Sequence, residues 1–181
     1  MKKDLESARK GWQHRGQQRP PFAKEPGPGE ESVWDYPRPP AIVADAREVV
    51  VRAHGVEIAR SLNAIRILET ASPPTFYLPP EDVHKEHLTR VSGSTFCEWK
   101  GAAAYFDIKT ADAVIPAAAW AYFEPFPESA AIAGWHAFYP GKVECFVAGE
   151  RVRAQIGGFY GGWITDEVIG PFKGEPGTGG W

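Results

Sequence analysis

The chain has 181 residues, of which 17 are Pro and 19 Gly; average usage of the two together is about 12%. The excess lies at the ends, with seven Pro and four Gly in residues 1–40 and nine Gly and two Pro in 157–181, and no G-x-y period exists, so a collagen-like chain is excluded and an all-helical bundle is a poor reading. The net charge of −3 divides into +4 over residues 1–25 and −7 over 26–181, which leaves the body no broad basic surface for nucleic-acid phosphates.

Residues 1–30 read as a flexible basic leader: Lys2, Lys3, Arg9, Lys10, Arg15 and Arg19 are solvated, and Pro26-Gly27-Pro28-Gly29 holds neither helix nor ladder. The first residues carry no apolar h-region, so export is not indicated and a cytoplasmic protein is expected. Val33-Trp34-Asp35-Tyr36, followed by three prolines, predicts an extended segment with two aromatic anchors. Val49-Val50-Val51 and Val56-Glu57-Ile58 flank His54-Gly55 and predict a hairpin. Leu62 to Glu69 fits either a helical face or a strand, Thr75 to Leu78 a short strand, and Glu81 to Thr89, with acids in its first turn, a helix.

From Thr95 onward the pattern is β again. Thr95–Lys100 and Ala102–Ile108 are joined at Gly101, and Val114–Phe123 follows, bent at Pro116. The run Ala113–Phe123 is too short to span a bilayer, so no membrane partner is expected. Pro127–Ala131 suits one helical turn, Trp135–Tyr139 with Val143–Val147 a second hairpin around Pro140-Gly141, and Arg151–Ile156 a last strand. The fold class is therefore mainly β, antiparallel, with one or two short helices, over a domain at 31–156. Residues 157–181 interleave glycines with Phe159, Tyr160, Trp163, Phe172 and Trp181; disordered tails are poor in aromatics, so a strap packed on the domain is expected.

Six segments in order carry a family resemblance: Glu31-Ser32-Val33-Trp34-Asp35-Tyr36-Pro37-Arg38-Pro39-Pro40; Ala64-Ile65-Arg66-Ile67-Leu68-Glu69; Pro79-Pro80-Glu81-Asp82-Val83; Thr95-x-Cys97-x-x-Lys100-Gly101-x-Ala103-x-Tyr105; Ala119-Trp120-x-Tyr122; and Ile132-Ala133-Gly134 with Phe138-Tyr139-Pro140. Over residues 31–150 the chain resembles the bacterial domain-of-unknown-function family 427, with Trp at position 99 where the family often has Tyr. The resemblance implies a β-tent-like (Mss4-like) fold, two small antiparallel sheets leaning together over a groove. Relatives of that fold often hold zinc through four Cys; Cys97 and Cys145 are the only two here, so no zinc, and no other metal or cofactor, is expected. The family has also carried a nucleotidyltransferase label. That chemistry needs a phosphate loop and a carboxylate pair for magnesium, but Gly93-Ser94 is followed only by Asp107-Ile108-Lys109, with a cation where the second ligand belongs.

Thr95 to Gly101 is the densest chemical segment. As a strand it would place Thr95, Cys97 and Trp99 on one face. Cys97 is the candidate nucleophile, with Lys100 or Arg66 supplying a cationic field; a buried strand Cys acting as a small hydrophobe is the plainer alternative. Arg66 and Glu69, three apart, would face together on a helical turn as a solvated pair or as a ligand clamp. His84 and His87 have metal-like spacing but lack further ligands, and a solvated face is the simpler reading. His136 sits among aromatics, as a satisfied core His or a polar group in the site. Tyr77, Trp99, Tyr105, Trp120, Tyr122, Trp135 and Tyr139 are candidates to line a groove, with Trp99, Trp120 and Tyr122 the foremost. The leading functional expectation is binding of a small polar or aromatic molecule by Arg66, Glu69, Trp99, Trp120, Tyr122 and His136. The alternatives are an enzyme built on Cys97 and Lys100, and a protein-interaction module; self-association into a homo-oligomer is left open.

Overall fold

The computed structural model describes residues 2–181, with side chains from Asp4 onward. A helix, α1 (Lys2–Lys10), is followed by β1 (Glu31–Ser32), β2 (Ala41–Asp45), β3 (Val49–Ala53), β4 (Val56–Ser61), β5 (Ala64–Leu68) and β6 (Thr75–Tyr77). The long strands come next: β7 (Leu88–Cys97), β8 (Gly101–Lys109) and β9 (Val114–Ala121), then β10 (His136–Phe138) and β11 (Glu144–Val147). Four two-residue strands close the chain: β12 (Glu150–Arg151), β13 (Arg153–Ala154), β14 (Trp163–Ile164) and β15 (Val168–Ile169). The protein is mainly β, its main sheets antiparallel, and among the described residues no helix is long and apolar enough to cross a membrane.

The β3–β4 hairpin forms where β-branched runs flank His54-Gly55, whose φ values of 49° and 77° give the left-handed turn that such a connection needs. With β11 and β12 it makes a four-stranded sheet, order β12-β11-β3-β4. A second sheet, β10-β9-β8-β7, shares a core with the first: Val49, Val51 and Ile58 belong to one buried cluster with Phe106, Ile108, Ala119 and Phe138. Trp163 enters this cluster from the C-terminal segment, stacked on Phe76 at 4.9 Å, its Nε1–H donated to the Phe138 carbonyl at 3.0 Å. A three-stranded sheet, β2-β5-β6, shares a second cluster with the β7–β10 sheet through Ile67, Tyr77, Trp120 and Tyr122. A bridge between Leu78 and His136 ties β6 to β10, so the two sheets meet edge to edge there.

Two local expectations are corrected, and an open one is settled. Glu81–Thr89 is not a helix but two 3-10 turns, Pro80–Asp82 and Lys85–His87, with Leu88 opening β7. Val83 bridges Ala59, and the His84 N–H goes to the Ile58 carbonyl, so β4 takes the groups a helix would need. Trp135–Tyr139 and Val143–Val147 are not hairpin partners: β10 pairs with β9, and β11 with β3 in the other sheet. Within Leu62–Glu69, Ala64–Leu68 is strand, and β5 lies between β2 and β6.

Residues 2–30 make specific contacts with the body. The Arg9 Nε–H donates to the Glu98 carbonyl at 2.7 Å, Trp12 Nε1–H to the Glu98 carboxylate at 2.8 Å, and Phe22 packs edge-on to Trp34 at 5.0 Å. At the other end β15 pairs parallel to β1, and Trp181 lies 5.1 Å from Trp34 and 5.0 Å from Phe22. Trp34, 1% exposed, is thus enclosed by both ends of the chain.

Candidate functional site

Strand β7 stops at Cys97, and Glu98, Trp99 and Lys100 form the turn into β8, with Cys97 opposite Gly101. Gly101 has φ 96°, the left-handed residue that closes a three-residue hairpin loop. The strict alternation expected through Trp99 therefore ends two residues early. Lys100 returns beside Cys97 in a cavity, whereas Trp99 is buried elsewhere, under the Arg9 guanidinium at 5.0 Å, its carbonyl accepting from Ser129 Oγ at 3.0 Å.

The cavity, about 280 Å³, lies where β5 and β6 meet the β7–β10 sheet. Ile67, Tyr77, Tyr105 and Trp120 reach it from the strands, with Tyr122 and Tyr139 just beyond β9 and β10. The polar lining includes Glu69, Cys97, Glu98 and Lys100. The remaining wall comes from outside the sheets: Trp12 from the N-terminal segment, and Phe159, Tyr160, Gly161 and Lys173 from the C-terminal one. The aromatic groups are held by one another. Trp120 Nε1–H donates to Tyr77 Oη at 3.2 Å, the Trp120 and Tyr139 rings are 4.4 Å apart, and Tyr105 Oη shares a hydrogen bond with Thr95 Oγ1 at 2.7 Å.

Burial sets the charge states. It pushes Tyr77 up to about 12 and raises Tyr122 and Tyr139 further, so these phenols stay protonated and can donate. Burial works against the charge on Lys100, but Cys97, Tyr77 and Glu69 outweigh it, and the ammonium is held above its ordinary value. Lys173 is moved the other way, down to about 8, by burial and by Arg38 nearby; its Nζ lies 3.6 Å from the Trp12 ring centre and 3.5 Å from a main-chain oxygen of Trp181. The two carboxylates are already engaged. Glu69 accepts from Arg38 Nε at 3.2 Å, and Glu98 from Trp12.

Five of the residues expected at a site come together: Glu69, Cys97, Lys100, Trp120 and Tyr122. Arg66, Trp99 and His136 do not. Because Arg66 lies in a strand, with Glu69 just beyond its end, and not on a helical turn, Arg66 and Glu69 do not face together. Arg66 pairs with Glu31 and, at 3.1 Å, with Asp45, while Glu69 pairs with Arg38. His136 is a core residue beside the Phe106 ring at 5.1 Å; its Nδ1 has no hydrogen-bond partner, and burial, helped by Lys85, lowers its pKa to about 4. Trp12 and Lys173 were not anticipated. Their signals were a lone Trp in a polar leader and a lone Lys inside the aromatic tail.

Among the described residues no three His, Cys, Asp or Glu side chains are grouped to hold a metal ion, and both cysteines are free thiols. Gly93-Ser94 lies at an irregularity within β7, where the pairing register with β8 shifts between Arg90 and Ser94, and the Asp107 carboxylate accepts from the Ala117 N–H at 2.8 Å. No curated protein matches the chain. A family model does match, over residues 41–149, most of the sheet-forming body. The chain belongs to the family described as a domain of unknown function, DUF427.

Proposed function

We propose that this protein binds a small polar or aromatic molecule in the cavity between the β5–β6 edge and the β7–β10 sheet, as a soluble cytoplasmic bacterial protein with a β-tent-like body. The observation that carries this reading is convergence: aromatic rings from β6, β8 and β9 and polar groups from just beyond β5 and from the β7–β8 turn surround one concave space of about 280 Å³. Ligand sites are mostly apolar clefts with a few placed polar groups, of roughly 300–1,000 Å³, so this one suits a ligand at the small end. Native mass spectrometry of the purified protein, before and after mild denaturation, tests it. A bound small molecule retained by the wild type and lost from Trp120→Ala is expected. A ligand equally retained by that variant would place binding elsewhere.

A second reading, an enzyme with Cys97 as nucleophile, is favoured by one observation: Lys100 lies beside the thiol inside the cavity. A neighbouring cation stabilises a thiolate. Cys145 supplies the internal control, since it is 1% exposed and burial pushes its thiol well above the ordinary value. Iodoacetamide at neutral pH should label Cys97 and leave Cys145 untouched until the protein unfolds, and Lys100→Met should slow the Cys97 reaction. Equal labelling of both thiols would remove this reading.

A further inference from the structure

The polar inventory of the cavity is unbalanced. Its two carboxylates have partners of their own, Arg38 for Glu69 and Trp12 for Glu98. Its two ammonium groups have no carboxylate in direct contact: among the described residues neither Lys100 nor Lys173 forms an ion pair, Glu69 acts on Lys100 and both carboxylates on Lys173 only through space, and the other neighbours of Lys100 are the Cys97 thiol and the Tyr77 phenol. An enclosed ammonium with no carboxylate in direct contact leaves a place that an anion can complete. The phenols sharpen the imbalance. Tyr77 and Tyr122 are held protonated by burial, so each offers an O–H, while the Tyr139 O–H is donated to the Phe159 carbonyl at 3.4 Å. Lys100, Lys173, Tyr77 and Tyr122 thus supply donors to the cavity, while its two carboxylates are already engaged.

Shape adds the second constraint. Trp120, Tyr139 and Tyr77 form a connected aromatic wall, with ring centres 4.4 Å and 6.2 Å apart, and Phe159 and Tyr160 come in from the C-terminal segment. Such walls select flat, polarizable groups. From these two constraints together we infer that the ligand is a planar aromatic oxyanion of one or two rings, its carboxylate or phosphate seated on Lys100 and its ring against Trp120. Lys173 adds a second, weaker positive field from the C-terminal segment. This inference rests on the small-molecule reading above and narrows it to one chemical class.

The test compares 2-naphthoate and 2-naphthyl phosphate with the neutral 2-naphthamide, by titration calorimetry and by quenching of tryptophan fluorescence on the full chain. At least one oxyanion is expected to bind tenfold or more tighter than the amide, and which of the two wins tells carboxylate from phosphate. Lys100→Met should remove that preference and leave amide binding within about twofold, while Lys100→Arg should keep it. An amide that binds as well as both anions, or a preference that survives Lys100→Met, overturns the inference while small-molecule binding stands. Failure of all three probes to bind the wild type overturns the inference together with the aromatic part of the reading beneath it. Should Lys100→Met fail to fold, the wild-type comparison and Lys100→Arg still decide.

Discussion

Replacing Arg38 with Met should loosen both ends of the chain at once. The Arg38 side chain is 0% exposed, and besides Glu69 it donates to the carbonyls of His14, Thr70 and Trp181 at 2.9, 2.8 and 3.1 Å. One guanidinium therefore joins the N-terminal segment, the body and the C-terminal segment. Removing one partner of a buried ion pair costs about 3–5 kcal/mol. Glu69 is 20% exposed and recovers some hydration, which places this change near the lower limit, about 3 kcal/mol. For a chain of this size each kcal/mol moves the midpoint by about 2–4 °C, so a fall of about 6–12 °C is expected in Arg38→Met. Glu69→Gln should cost less, about 1–2 kcal/mol, because Arg38 keeps its three carbonyls. Thermal melts followed by circular dichroism read both, and limited proteolysis should show earlier cuts in residues 11–30 and 170–181 of Arg38→Met. A midpoint within 2 °C of wild type would show that the carbonyl contacts carry no net stabilisation, and the reasoning would fail.

His136 gives a pH signature. Its folded pKa of about 4 lies below the ordinary 6.5, so between those values the unfolded chain binds more protons than the native one. Stability should fall as pH drops from 6.5 to 4, by up to about 1.4 kcal/mol per pH unit, and His136→Gln should flatten that dependence in urea melts. Gly161→Ala addresses the cavity wall. A Cβ there would sit against the Trp120 ring, so the C-terminal segment or the ring must move. The expected cost is about 1–3 kcal/mol with a changed tryptophan emission, and an unaltered spectrum and midpoint would mean the close approach is not maintained in solution.

What the residues disclosed in advance was mostly local. The β3–β4 hairpin was readable because Val49 to Val51, Val56 to Ile58 and a His-Gly turn all favour the same structure. The strands from His136 and Glu144 were also readable, but not their partners: β10 pairs with the preceding β9, and β11 with β3, far back along the chain, a choice decided by packing. Glu81 to Thr89 misled because its polar composition and leading acids suit a helix, while the determining contact, Val83 with Ala59, is non-local. The site divides the same way. Cys97 and Lys100 stood out within one seven-residue segment, and Tyr77, Tyr105, Trp120, Tyr122 and Tyr139 as candidate groove aromatics. Trp99 was misplaced because a strand was extended through what is a three-residue loop, and Arg66 because a helical spacing was carried onto β5. Trp12 and Lys173 could not be assigned, since each reaches the cavity only after a terminal segment has folded back.

That division has an evolutionary consequence. The family segment, 41–149, contains the strands that bear Tyr77, Tyr105 and Trp120 together with the Cys97–Lys100 turn, but not Trp12, Phe159, Tyr160 or Lys173. On the function proposed above, the cation at the turn and part of the cavity wall are therefore encoded in separate stretches of chain. Substitutions at Trp12, Phe159, Tyr160 or Lys173 would reshape the cavity while the 41–149 body and Lys100 stay unchanged.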